Sequence, residues 1–167
     1  MSKVLIIIFS LSFVIGQDTF SIVAIDTETG EVGSAGASCV AGSPIISDIH
    51  PGTGVIHTQA RWNAINQDSA SALMDNGNSP EEIISWLINN DAENNPGIRQ
   101  YGIIDLVNGG RAAAYTGENC YNYKSHVVGQ NYVVLGNILL GQDILDTMDL
   151  YIYADKSNNE FKLIHPV

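Results

Sequence analysis

The chain is short of positive charge. Among 167 residues there are 7 Lys+Arg against 18 Asp+Glu, a formal net charge of −11 with histidines neutral. Nucleic-acid binding rests on clustered Lys and Arg neutralising phosphates, so this balance argues against that partner class. It argues equally against docking on an anionic membrane surface. Cysteine is scarce as well: Cys39 and Cys120 alone cannot build a thiolate zinc cage or a multi-disulfide scaffold. Charged residues make up 15% and hydrophobic residues 45%, too few charges and too much apolar surface for a disordered chain. There is no internal repeat, and no Lys-Ser/Thr follows Gly109-Gly110 at the spacing of a phosphate loop. His50, His57 and His165 have no carboxylate or histidine at metal-ligand spacing on one element, so no metal site is expected, and no other cofactor is expected either. What remains is a soluble, acidic chain with room for one domain of the usual ~100–200 residues.

The single long apolar run, Val4 to Ile15, follows Lys3 and ends at Val14-Ile15-Gly16. It is shorter than the ~20 residues a membrane span needs and reads as a secretory signal peptide over 1–16. Gln17 is then the first mature residue, and the protein is expected to be secreted or periplasmic, with no membrane span after signal removal. An oxidising compartment allows Cys39 and Cys120 to pair, which is the expected state. The alternative is two separate buried thiols acting as small hydrophobes.

The mature chain groups strands, then helices, then strands, then a helix, which predicts an α+β fold rather than alternating βαβ units. Thr19 to Asp26 is apolar on both faces and reads as a strand buried on both sides. A hairpin returns through Thr27-Glu28-Thr29-Gly30 to Val32–Val40, whose small residues suit close approach of backbone or ligand. The segment 42–54 reads as a loop, and Gly54 to Gln59 as a strand. Helical character is expected over Ser69–Asn76, ended by Gly77. The next helix has Ser79 at the N-cap, Pro80 at the first position and Glu82 closing a capping box, followed by Ile83, Ile84, Leu87 and Ile88. Tyr101–Val107 and Arg111–Tyr115 read as a second hairpin across Asn108-Gly109-Gly110. Val127-Val128 and Tyr132–Leu135 are short strands, Ile138–Met148 a helix with Asn137 as its N-cap, and Leu150–Ala154 with Phe161–Ile164 a small hairpin.

Several segments in order carry a resemblance: Thr19-Phe-Ser-Ile-Val-Ala-Ile-Asp, Thr29-Gly-Glu-Val-Gly, Gly36-Ala-Ser-Cys-Val, Arg99-Gln-Tyr-Gly-Ile-Ile-Asp, Thr116-Gly-Glu-Asn-Cys, His126 and Gly136-Asn-Ile-Leu-Leu-Gly. Together they resemble the domain of unknown function 1028 family, assigned to the N-terminal-nucleophile (Ntn) hydrolase superfamily. The resemblance implies an αββα sandwich of antiparallel sheets over 17–148, incomplete at its C-terminus, with 149–167 a divergent or truncated tail. It also implies a chemistry. An N-terminal Thr attacks an amide carbonyl while its own α-amine, with a pKa near 8, takes the proton. Thr19 is the matching residue here, but Gln17 and Asp18 precede it after the expected signal cut. Without further trimming or self-cleavage at Asp18-Thr19 it is simply a strand residue.

Four other side chains are candidates around it. The resemblance implies a lysine or arginine near the nucleophile to lower the amine's pKa; Arg61, just after the strand ending at Gln59, is the best candidate for it, or is an ordinary surface charge. Gln59 and Asn63 are placed to donate to a developing oxyanion or to cap element ends. His126 is a general base or a satisfied structural group. The leading expectation is a secreted amide-bond hydrolase acting on a small molecule or peptide. The alternative is a non-catalytic exported module that binds through the same cleft, the shortened sheet edge or the Tyr115, Tyr121, Tyr123 and Tyr132 cluster. A homo-oligomer covering the open edge fits either.

Overall fold

The segment Thr19-Phe-Ser-Ile-Val-Ala-Ile carries no polar side chain larger than a hydroxyl, so both of its faces can be buried. It forms β1 (Thr19–Ile25), an inner strand of its sheet. The computed structural model describes residues 18–156. The expected signal peptide and the Phe161–Ile164 strand lie outside them. β1 pairs antiparallel with β2 (Val32–Ser38) on one side and β8 (Tyr132–Asn137) on the other, and β7 (Ser125–Val128) completes the sheet in the order β2-β1-β8-β7. A second antiparallel sheet runs β3-β4-β5-β6, from β3 (Ser47–His50), β4 (Gly54–Ala60), β5 (Arg99–Asp105) and β6 (Arg111–Thr116).

Three apolar layers stack these elements. Helices α1 (Ala64–Asp75) and α2 (Pro80–Asn89) bury Ala70, Met74, Ile83, Ile84 and Leu87 against Ile56, Tyr101 and Ile103 on one face of the second sheet. Val23, Ile25, Val133 and Leu135 of the first sheet meet Val55 and Ile104 of the second. On the far face of the first sheet, Ala24, Tyr132 and Val134 pack with Leu139 and with Leu145 of α3 (Asp143–Lys156). The fold is therefore α+β, two antiparallel sheets face to face with helices outside. Because side chains alternate along a strand, Val55, His57 and Gln59 all point between the sheets while Ile56 faces the helices. Close packing here demands a glycine: a Cβ at Gly102 would stand 2.8 Å from Leu135 Cδ1. Truncating Ile83 or Leu87 to Ala costs about 2–5 kcal/mol through lost burial and the cavity left behind.

The local punctuation is as the residues dictate. Ser79 Oγ accepts from the Glu82 N–H while Glu82 reaches back to the Ser79 N–H, and Pro80 opens α2. The second hairpin turns through Asn108, Gly109 and Gly110, all at positive φ. The segment predicted as a loop instead contains a 3-10 turn, Ser43–Ile46, and the edge strand β3. α1 begins earlier than expected, at Ala64, because Asn63 caps it by accepting from the Asn66 N–H at 3.2 Å. Leu150–Ala154 continues α3 rather than forming a hairpin. Asn137 is no N-cap; it is the last residue of β8 and is buried.

Candidate functional site

Thr19 opens β1 between two register partners, Ser38 at the end of β2 and Asn137 at the end of β8. Its Oγ1 lies 2.9 Å from Ser38 Oγ, and Ser38 Oγ also accepts from the Val40 N–H at 3.4 Å. All of this sits at one end of the inter-sheet space, beside a cavity of about 760 Å3 whose lining includes Thr19, Cys39, Arg61, Cys120, Tyr121 and Asn137. The size suits a small organic molecule or a peptide side chain.

Beneath Thr19 the space between the sheets is polar. Ser21 donates to Gln59 Oε1 at 2.6 Å, and Gln59 Nε2 donates to Gln100 Oε1 at 2.7 Å. Asn137 Nδ2 donates to the same Gln100 oxygen at 3.1 Å, and Gln100 Nε2 lies within 3.0 Å of Thr116 Oγ1, Ser125 O and Gly136 O. Ser21, Gln59, Gln100 and Asn137 are all buried. Buried amides are costly unless paired, and these pair with one another, which fixes their rotamers. They make a rigid polar floor between the apolar core and the Thr19 cavity.

The cavity's far wall is held by a buried ion pair. Arg99, 2% exposed, makes Nε–Oδ2 contact with Asp91 at 2.8 Å and Nη2–Oε2 contact with Glu93 at 2.8 Å. Its Nη1 donates to the Arg61 carbonyl and so fixes the segment after β4 against the cavity. Burial alone would push the Asp91 carboxyl up. Hydrogen bonds from Arg99, the Asn95 N–H, Asn66 and the Glu93 N–H outweigh it and hold the group well below the usual carboxylate range. Two non-glycine residues of the lining, Ala60 (φ 69°) and Ile138 (φ 60°), take left-handed backbone. Such outliers cost on the order of 1–3 kcal/mol and cluster at functional sites.

Thr19 and Arg61 thus share one cavity, as the sequence suggests. Gln59 and His126 do not line it. Gln59 serves the buried floor, and His126 Nδ1 sits 2.8 Å from Thr116 Oγ1, with burial pushing its pKa down. Asn63 is spent on capping α1. The expected Cys39–Cys120 disulfide is absent. Both are free thiols: Cys39 is exposed just beyond β2, while Cys120 is buried with its Sγ 3.3 Å from the Arg99 carbonyl oxygen. They line the same cavity without a bond. Burial pushes the Cys120 thiol up. The four tyrosines form no common surface. Tyr132 is buried and donates to Asp149, Tyr115 stacks on Tyr101 with centroids 6.0 Å apart, Tyr123 donates to Gln142 at 2.7 Å, and Tyr121 lies at the cavity. Asn137 is the residue that sequence reasoning misplaced, because only the β1–β8 register reveals that it stands opposite Thr19.

Among the described residues no helix is long and apolar enough to cross a membrane, and no group of three or more His, Cys, Asp or Glu could hold a metal ion. No curated protein matches the chain. The fold is similar to the crystal structure of protein SPO2555 from Silicibacter pomeroyi, described with the DUF1028 family model. The TM-score is 0.74 at 26% identity, over 82% of this chain and 62% of that one. The chain thus aligns with less than two thirds of that relative. The model of the family of unknown function DUF1028 matches residues 19–164, and the chain belongs to that family.

Proposed function

We propose that the chain is an exported amide-bond hydrolase of the N-terminal-nucleophile type, in which Thr19 becomes the first residue and attacks the substrate carbonyl. The observation that carries this reading is positional. The family match and β1 both begin at Thr19, and Thr19, hydrogen-bonded to Ser38, lines a cavity of about 760 Å3 with Arg61 and Asn137. Two stacked antiparallel sheets with helices on both outer faces support the superfamily reading. The run Val4–Ile15 supports export.

The chemistry follows from a free Thr19. The Oγ1 proton passes to the α-amine as Oγ1 attacks the carbonyl carbon. The amine, with a pKa near 8, is a competent base at neutral pH. Arg61, lining the same cavity, is the cation available to favour its neutral form. Asn137 Nδ2 spends one N–H on Gln100 and has a second to offer the developing oxyanion. As the C–N bond breaks, the ammonium proton goes to the leaving nitrogen. Water, deprotonated by the amine, then attacks the Thr19 ester and releases the acid. With Asp18 attached there is no free amine, and the same cleft works instead as a non-catalytic binding module for a small molecule or peptide.

The test is covalent capture. Thr19 Oγ1 opens a β-lactone by acyl transfer, so the adduct adds the whole lactone mass. Protein prepared to begin at Thr19 is expected to gain one lactone on Thr19. Protein retaining Asp18, and Thr19→Ser beginning at that position, separate amine dependence from hydroxyl identity: the first stays unlabelled and the second labels. Equal labelling with and without Asp18 would contradict the role of the amine.

A further inference from the structure

A second cleft lies where the two sheets' edge strands, β2 and β3, face each other. It has a volume of about 380 Å3, and no residue lines both it and the Thr19 cavity. Ser34 and Gly36 of β2, Pro44 and Ile46 of the 3-10 turn, and Ser47 and Ile49 of β3 surround it. His57 of β4 lies at its base, 1% exposed. Neither His57 ring nitrogen has a hydrogen-bond partner among the described residues. That is exceptional for a buried imidazole, which in its neutral form carries one N–H donor and one lone-pair acceptor. The Ser34 and Ser47 hydroxyls of the lining bond each other at 2.5 Å, and neither bonds the His57 ring.

We propose that this cleft is a binding site for a small uncharged molecule bearing an amide or hydroxyl head on a short aliphatic body, with His57 hydrogen-bonding the head and Pro44, Ile46 and Ile49 covering the body. The lining contains neither Lys, Arg, Asp nor Glu, so nothing there offsets the desolvation of a charged ligand. The chain's net charge of −11 further opposes an anion. Burial pushes the His57 pKa down to about 4, so at neutral pH the ring offers an uncharged donor and acceptor. An amide or hydroxyl head complements that pair. The site is independent of Thr19 and stands whether or not that residue is a nucleophile.

The experiment uses the full chain with 15N-labelled histidine at pH 7 and follows the His57 ring resonances. Isobutyramide, isobutyrate and isobutylamine share a branched aliphatic body and differ in charge. Isobutyramide is expected to shift the His57 signals saturably, and the two charged probes to leave them in place. Ser34→Val, which narrows the cleft and keeps His57, is expected to weaken the isobutyramide response at least tenfold. A non-saturating response to isobutyramide, an equal response to isobutyrate or isobutylamine, or an undiminished response in folded Ser34→Val overturns the assignment. The comparison of the three probes decides on the unaltered chain if that variant does not fold.

Discussion

Thr19 Oγ1 lies 2.9 Å from Ser38 Oγ across the β1–β2 ladder, at the end of the sheet that meets the cavity. Ser38 Oγ accepts from the Val40 N–H, so its own proton can be donated to Thr19 Oγ1. That orients the Thr19 hydroxyl and leaves its proton for the amine. Ser38→Ala, in protein beginning at Thr19, is expected to slow β-lactone labelling roughly five- to tenfold, the rate equivalent of one net hydrogen bond of about 1 kcal/mol. An unchanged rate removes Ser38 from the site.

The polar floor makes a stability prediction. Gln100 is buried and joins Gln59, Asn137, Thr116 and two backbone carbonyls. Gln100→Ala strands several of these and is expected to cost about 2–4 kcal/mol, read from urea unfolding. Labelling at Thr19 should fall with it, since Asn137 loses its anchor.

Asp91 makes a prediction in pH. Its folded pKa lies below the unfolded value of about 3.9, so its contribution is fully present above roughly pH 5 and is lost as pH falls toward the folded value. Asp91→Asn removes that acid-sensitive contribution. At pH 7 it leaves the buried Arg99 with only the exposed Glu93 carboxylate, at a cost of about 3–5 kcal/mol. Urea unfolding of both proteins at pH 7 and pH 3 should show the gap narrowing in acid; a gap independent of pH contradicts the assignment.

Free thiols make a chemical prediction. Without reductant, iodoacetamide should alkylate exposed Cys39 in the folded protein, while Cys120, buried with a raised pKa, reacts only after unfolding. Intact mass before and after denaturation counts the adducts, and recovery of a disulfide-linked peptide would sink this account.

Features written in short windows were legible from sequence. The capping box of α2, the Asn108-Gly109-Gly110 turn and the two-faced burial of β1 each follow from a few adjacent residues. β3 was hidden because Ser47-Asp-Ile-His is short and mostly polar, and is a strand only because β4 pairs with it. Leu150–Ala154, read as a hairpin strand, belongs to α3, since a short apolar run suits strand or helix alike. At the candidate site, the placement of Thr19 and Arg61 on one cavity was legible through resemblance and proximity to strand ends. Asn137 and the partnerless ring of His57 were not, because register and burial belong to the assembled sheets. The cysteines misled because an oxidising compartment permits a disulfide without bringing two sulfurs together.

Catalysis by Thr19 through its own amine requires Thr19 to be the terminal residue of the working protein. The most direct measurement is N-terminal sequencing, with intact mass, of the protein purified from its own host. The account predicts a chain beginning at Thr19. A chain beginning at Gln17, with Asp18 still attached to Thr19, contradicts it and leaves the cleft a binding site.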